Sequence, residues 1–383
     1  MDGELRGDLQ AAGVEVLVRP LAVLRRAAMS PAGLASVAGA LARDGGGLAR
    51  LVRRRGVALI HTNTSVTLGG VAASRIAHIP HVWHVREIYA GFERYWPVYG
   101  RLLLTADALP CVSRATRAQL GGDPRAIVVH DGLALAPRRA PRAAARAALG
   151  LPADAFVCAI LGRISTWKGQ DVLIRALADP ALAGGAGGGH ASGGRESAGR
   201  SGGGRVGGGA AGSSASDGGG CGAGAATIAL VAGDPWQGEE RKLDELRALA
   251  ARLGVSERVR FAGFRSDVEN VYGAADVVCV PSTQPDPLPN AALEAAAAGC
   301  CVVAADHGGL PEILRRDTTG LLVTPGDAAA LAAALARLRA DPALRARLGS
   351  AAAADVGERF APARLLARTQ ELYDDVVERR RRR

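Results

Sequence analysis

Short apolar runs and helical stretches alternate along this chain in two successive series. In the first series, "VEVLV" (14–18), "ALIHTN" (58–63), "HVWHV" (81–85), "ALPCVS" (108–113) and "AIVVH" (126–130) are rich in β-branched and apolar residues and read as strands. Stretches such as "GGVAASRIA" (69–77) stand between them and read as helices. A second series runs through "FVCAILGRI" (156–164), "TIALVAG" (227–233), "VRFAGF" (259–264), "DVVCVPS" (276–282), "CCVVAA" (300–305) and "GLLVTPGD" (320–327). Strand–helix alternation folds as a parallel sheet covered by helices on both faces. The expected class is therefore α/β, with two doubly wound, Rossmann-like domains.

We expect the first domain over residues 1–140 and a Pro- and Arg-rich linker over 141–155, with a short helix ending at Gly150. The second domain is expected over 156–360, followed by a C-terminal helix and basic tail over 361–383. Two features depart from a regular pattern. A doubly wound domain opens with a strand and a tight Gly-bearing turn, whereas this chain opens with a helix-like piece before "VEVLV". The first domain therefore reads as truncated at its start, lacking its opening strand. Residues 184–226 are dominated by Gly, Ser and Ala. They offer almost no large apolar side chain to offset ordering entropy and read as a disordered surface insertion.

Composition narrows the partners. The 383 residues carry a formal charge of +10, most of it from Arg. No basic stripe interleaved with aromatics is present, so no nucleic-acid partner is expected. The run Arg379–Arg383 reads either as a peripheral contact for an anionic membrane or as a solvated tail. No uncharged apolar run approaches the roughly 20 residues needed to span a bilayer. "MDGELRGDLQ" is not a secretory signal, so a cytoplasmic location is expected. Cys158, Cys279, Cys300 and Cys301 lie in apolar runs and read as buried free thiols.

Three stretches carry candidate chemistry. In "LGRISTWKGQDVLIRAL", Arg163 and Lys168 follow the first strand of the second series, where open α/β sheets bind ligands. Two cations ahead of a helix suit a diphosphate, Arg bidentately and Lys as a point charge. The same letters would also serve two solvated surface cations. In "PSTQPDPLPNAALEAAAAG" (281–299), a helix should begin near Pro289 or Asn290 and end at Gly299. The amides of Asn290 to Ala292 would then face an anion. Asp286 sits in the loop above and Glu294 in the early turns. Two acids beside an anion site are poor phosphate ligands but good acceptors for sugar hydroxyls. Separately, Glu294 could be a helix-capping acid and Asp286 a turn residue. In "DHGGLPEIL" (306–314), Gly308 and Gly309 permit close backbone approach to a ligand, or simply make a strand-to-helix turn.

Taken together, "LGRISTWKG", "VAGDP", "FAGF", "VPSTQPDPLPNAALEAAAAG", "VVAADHGGLPEIL" and "GLLVTPGD" resemble, in order and spacing, the retaining GT-B glycosyltransferases of the group 1 (family 4) type. The similarity covers nearly all of 156–340 outside the insertion. "NTSVTLGGVAASRIAHIPHVWHVREIY" and "ALPCVSRATRAQL" look like the acceptor half of bacterial-type members. The resemblance implies transfer of a sugar from a nucleotide-diphosphate sugar, with retention, to a sugar, lipid-linked or small-molecule acceptor. It implies no cofactor and no metal. Asp286 and Glu294 fit the spacing of the family's E-x7-E motif. Asp286 would contact the transferred sugar, with Asp in place of Glu shortening the reach, and Glu294 would hold the ribose. Arg163 and Lys168 match the basic pair on the diphosphate. Gly233 and Asn290 belong to the same donor site, and backbone around Gly308, Gly309 and Leu310 would line the donor sugar. His84 matches a family His near the reacting centre, or is a core His.

Two rival readings stand beside this one. A nucleotide-sugar epimerase could use a related scaffold, since fold alone does not fix chemistry. A transferase-like binding protein that has lost catalysis would fit the truncated start.

Overall fold

The computed structural model describes residues 5–24, 28, 30–89, 95–133, 137–183 and 226–382. The Gly-rich stretch 184–226 lies, apart from its last residue, outside the described residues, as does Arg383. Four short strands form the first sheet: β1 (Ile60–Thr62), β2 (His81–Trp83), β3 (Leu109–Cys111) and β4 (Ala126–Val128). β1 pairs with β2 and β3 with β4, all parallel, and parallel bridges Val82–Ala108 and Val85–Cys111 join the two pairs. Helix Gly69–Ala77 falls on the expected residues and ends where His78 turns left-handed. Trp83, Leu103 and Leu109 are buried on one side of this sheet. Val82 and Ala108 meet Leu372 and Val376 of the long helix Pro362–Arg381 on the other.

"VEVLV" is not a strand. Residues 14–18 follow helix Leu5–Ala11 without regular structure, and Val14, Leu17 and Val18 are exposed. A strand exists only by exchanging backbone hydrogen bonds with a neighbour. This segment has no ladder partner among the described residues, and Glu15 instead pairs with Arg55 at 2.8 Å. Propensity alone did not make it a strand.

The second sheet holds six strands: β5 (Phe156–Leu161), β6 (Thr227–Ala232), β7 (Val259–Gly263), β8 (Val277–Val280), β9 (Val302–Ala305) and β10 (Leu321–Val323). Their order is β10-β9-β8-β5-β6-β7, all parallel. The order reverses between β5 and β8, which is the topological switch point of a doubly wound sheet. Apart from β7, at one edge, where Arg260 is exposed, the strands read as continuous apolar runs because both faces are covered. Val157, Ala159 and Val278 face one core, and Phe156, Cys158 and Val277 the other. Cys111, Cys158, Cys279, Cys300 and Cys301 are all buried and unpaired.

Helix Arg142–Ala148 docks beneath this sheet through Arg146. The guanidinium is 2% exposed and lies 2.9 Å from Asp276, whose carboxylate also accepts the Val157 amide at 2.8 Å. Among the described residues no helix is long and apolar enough to cross a membrane.

Candidate active site

The loops at the switch point are welded to one another. After β5, Gly162 donates to Ala232 O at 2.9 Å and Ile164 to Asp234 O at 3.0 Å. Gly233 takes φ +143°, and a Cβ there would stand 2.1 Å from Gly162 O. Glycine at 233 is thus required by the approach of two loops. Further on, Thr283 donates to Trp167 O at 2.8 Å, tying the loop after β5 to the loop after β8. Gly169 (φ +82°) precedes helix Gln170–Leu177, and a Cβ there would lie 2.0 Å from Pro281 O.

Helix Asn290–Ala297 starts as expected, with Pro289 before it and Gly299 at φ +73° behind it. Its first turn tightens. The Ala292 amide donates to Pro289 O at 3.0 Å, so that expected anion-facing donor is already engaged.

Arg163, Gly233, Asn290 and Glu294 line one cleft of about 570 Å³, together with Phe264 and Arg265. The Arg163 guanidinium carbon lies 3.6 Å over the Trp236 ring. Glu294 accepts a hydrogen bond from the Tyr272 hydroxyl at 2.9 Å. Tyr272 is fully buried; that burial, and then the neighbouring carboxylate, push its phenol far above the usual range and keep it a donor.

Lys168, Asp286, Gly308 and Gly309 form a second cluster. Lys168 Nζ is 2.6 Å from Asp286 Oδ2. Gly309 donates to Asp286 O at 2.8 Å. A Cβ on Gly308 (φ +59°) would lie 2.4 Å from Asp286 O, and one on Gly309 would lie 2.1 Å from Pro287 O. What these glycines admit closely is the 286–288 backbone itself. His307 Nε2 reaches Ser282 O at 2.8 Å and closes the cluster. Leu310 is wholly buried, so only its backbone can face a ligand.

His84 is not among the residues that line the cleft. It follows β2 on the face covered by the C-terminal helix, with its ring 5.5 Å from His61, which bonds Tyr373 of that helix. It is 5% exposed, and its pKa is pushed down to about 3 by burial and then by Arg86 and His61.

The two sheets meet through a residue the sequence reading passed over. Glu312, in helix Leu310–Ile313, accepts the amides of Arg114 at 2.9 Å and Ala115 at 3.1 Å. These open helix Arg114–Ala118 beside β3, and His130 Nε2 completes the set at 2.9 Å. Burial alone would raise the Glu312 pKa, but these hydrogen bonds outweigh it and hold it below the usual value. Tyr272 and Trp236 also escaped the reading. Trp236 follows the quoted "VAGDP", yet nothing local says that its ring meets Arg163.

The two parallel, Rossmann-like sheets, joined through Glu312, have the GT-B architecture. Residues 225–355 match the family model described as glycosyl transferases group 1. D-inositol 3-phosphate glycosyltransferase of Streptomyces bingchenggensis is 36% identical over 272 residues, covering 68% of this chain and 50% of the relative. The protein of the same name from Saccharomonospora viridis is 35% identical over 247 residues, covering 63% and 47%. The chain spans about half the length of these curated relatives. Anabaena HepE, solved in complex with UDP, has a TM-score of 0.72 at 25% identity, over 98% of this chain and 90% of that one. Sucrose-phosphate synthase of Thermosynechococcus elongatus shares the fold, with a TM-score of 0.68 at 24% identity over 88% and 78%. The chain shares the GT-B fold, and its residues 225–355 match the group 1 glycosyl transferase family.

Proposed function

We propose that this protein moves a sugar from a nucleoside-diphosphate sugar to an acceptor with retention of configuration and without a metal. The observation that carries the reading is the convergence at the switch point. Arg163 and Glu294 line the cleft and Lys168 pairs with Asp286, and the loops that carry Arg163, Lys168 and Asp286 follow β5 and β8, the strands at the switch point. HepE is solved with UDP and with UDP-glucose, which supports a nucleotide-sugar donor here. The relatives' name makes a phosphorylated cyclitol the first acceptor to assay.

In this reading Glu294, held by Tyr272, accepts the ribose hydroxyls. Arg163 and Lys168 take the diphosphate, and Asp286 takes a hydroxyl of the sugar. The bond from the anomeric carbon to the β-phosphate oxygen breaks as the acceptor oxygen bonds to the same face. The acceptor proton passes to the departing phosphate, whose charge the cations stabilise. For the donor to enter, Lys168 exchanges part of its contact with Asp286 for phosphate oxygen.

The test is incubation with UDP- and GDP-sugars in chelator, with and without acceptor, followed by NMR of the product anomer. The expected outcome is released nucleoside diphosphate and a product of the donor's configuration. An isomeric nucleotide sugar would establish the epimerase reading instead, and an inverted product would overturn retention.

A further inference from the structure

The switch-point cleft does not use the C-terminal Arg run, and a second cavity does. It has a volume of about 650 Å³ and lies between helix Pro362–Arg381 and the first sheet. Its walls include Ile79, just before β2, Thr105 and Asp107, just before β3, and Arg125, just before β4. It therefore opens at the amino ends of these strands, whereas the loops of the candidate active site follow the carboxyl ends. Arg75, Arg125, Arg379 and Arg380 converge on it.

The four cations differ in what holds them. Arg125 is saturated by Asp123 at 2.7 Å. Arg379 leans 3.8 Å from Asp375, both side chains more than half exposed. Arg75 donates only to Thr105 O at 2.9 Å and Arg380 to His78 O at 3.4 Å, with no carboxylate partner among the described residues. Each of these two keeps donors to spare, because a guanidinium carries five N–H groups. Asp107, the acid in the wall, spends one oxygen on the His81 amide at 2.9 Å. The wall is fixed in place: Leu372 and Val376 seat the helix on Val82 and Ala108, and Tyr373 bonds His61 at 2.5 Å.

We propose that this cavity is a binding site for a phosphate-bearing anion, gripped between Arg75 from helix Gly69–Ala77 and Arg380 from the C-terminal helix. Planar guanidinium forks match phosphate oxygens bidentately. The phosphate comes either from a free polyphosphate or from an anionic lipid headgroup. The proposal is independent of the donor reading, since it uses none of that cleft's residues.

The experiment has two arms on the full chain. One titrates inorganic pyrophosphate calorimetrically. The other measures co-sedimentation with phosphatidylglycerol vesicles against phosphatidylcholine vesicles. Arg75→Gln and Arg380→Gln are each expected to weaken binding about tenfold in whichever arm binds. Both arms are run in an Arg163→Gln background, which removes the diphosphate contact proposed at the other cleft, and Arg241→Gln on a remote exposed helix should leave the binding unchanged. Binding of pyrophosphate identifies a soluble anion, and binding of anionic vesicles alone identifies a headgroup. Absence of binding in both arms overturns the site. So does binding that Arg75→Gln and Arg380→Gln leave intact, or that Arg241→Gln weakens equally.

Discussion

Lys168 Nζ and Asp286 Oδ2 lie 2.6 Å apart although 118 positions separate them in sequence. Their loops follow β5 and β8, the two strands that flank the reversal of the sheet. Asp286 is 8% exposed and Lys168 26%, so the pair is partly shielded from water. Removing one partner leaves a buried charge unpaired. Asp286→Asn and Lys168→Met should each lower unfolding free energy by roughly 1–3 kcal/mol, and the double variant by clearly less than the sum. Urea denaturation of the four proteins measures this. Strict additivity would show that the two side chains do not interact in solution.

Tyr272 and Glu294 give a second pair. The buried hydroxyl fixes a carboxylate that our reading places on the ribose. Tyr272→Phe removes one hydrogen bond and should cost about 1 kcal/mol of stability. Glu294→Gln keeps the shape and loses the charge, so donor affinity should fall by about one to two powers of ten. The 2′-deoxy donor should bind wild type poorly and be discriminated less by Glu294→Gln. Equal discrimination by both proteins would remove Glu294 from the ribose.

Glu312 joins the loop after β9 to the first sheet, because it lies three residues beyond Gly309 and holds Arg114, Ala115 and His130. Glu312→Gln halves its acceptor capacity toward three donors. We expect donor affinity to change less than twofold and turnover to fall about tenfold, since the variant keeps the donor site but loosens its register against the acceptor side. Separate measurement of donor Kd and kcat decides the point. A loss confined to donor affinity would make Glu312 part of the donor site instead.

Buried histidines set the acid response. The pKa of His81 is pushed down to about 4, chiefly by burial, and that of His84 to about 3. Their unfolded pKa is near 6.5, so below that pH the unfolded chain takes protons that the folded chain refuses. Their contribution is complete above pH 6.5 and is lost as pH falls toward 4. Each histidine should remove about 1.4 kcal/mol per pH unit over that window. Glu312, whose folded pKa is lowered, adds its loss only below about pH 4.5. Unfolding free energies at pH 7, 6 and 5 test this, and His84→Leu should reduce the slope by one histidine's share. A flat profile would mean that neither ring is held neutral by burial.

The second sheet was legible because its strands, β7 apart, are apolar runs buried largely on both faces, and its loops carry spaced motifs. Arg163 and Glu294 could be placed in one site from their positions at strand and helix ends. "VEVLV" misled because its letters describe a side-chain preference, whereas a strand also needs a neighbour. Glu312 was inside a quoted motif, yet its partners Arg114 and His130 stand nearly two hundred residues away, where no local pattern reaches. Nor does sequence say that Gly308 and Gly309 admit the 286–288 backbone, since the colliding atoms belong to another loop.

The most direct measurement is calorimetric titration of UDP and GDP into the full chain in chelator, repeated on Arg163→Gln and Lys168→Met. The account predicts binding of at least one nucleotide by the wild-type protein. It predicts a loss of about tenfold or more in each variant, because each removes a charge-assisted contact with the diphosphate. No heat with either nucleotide, or affinity unchanged in both variants, would contradict a donor site at the β5–β8 switch point.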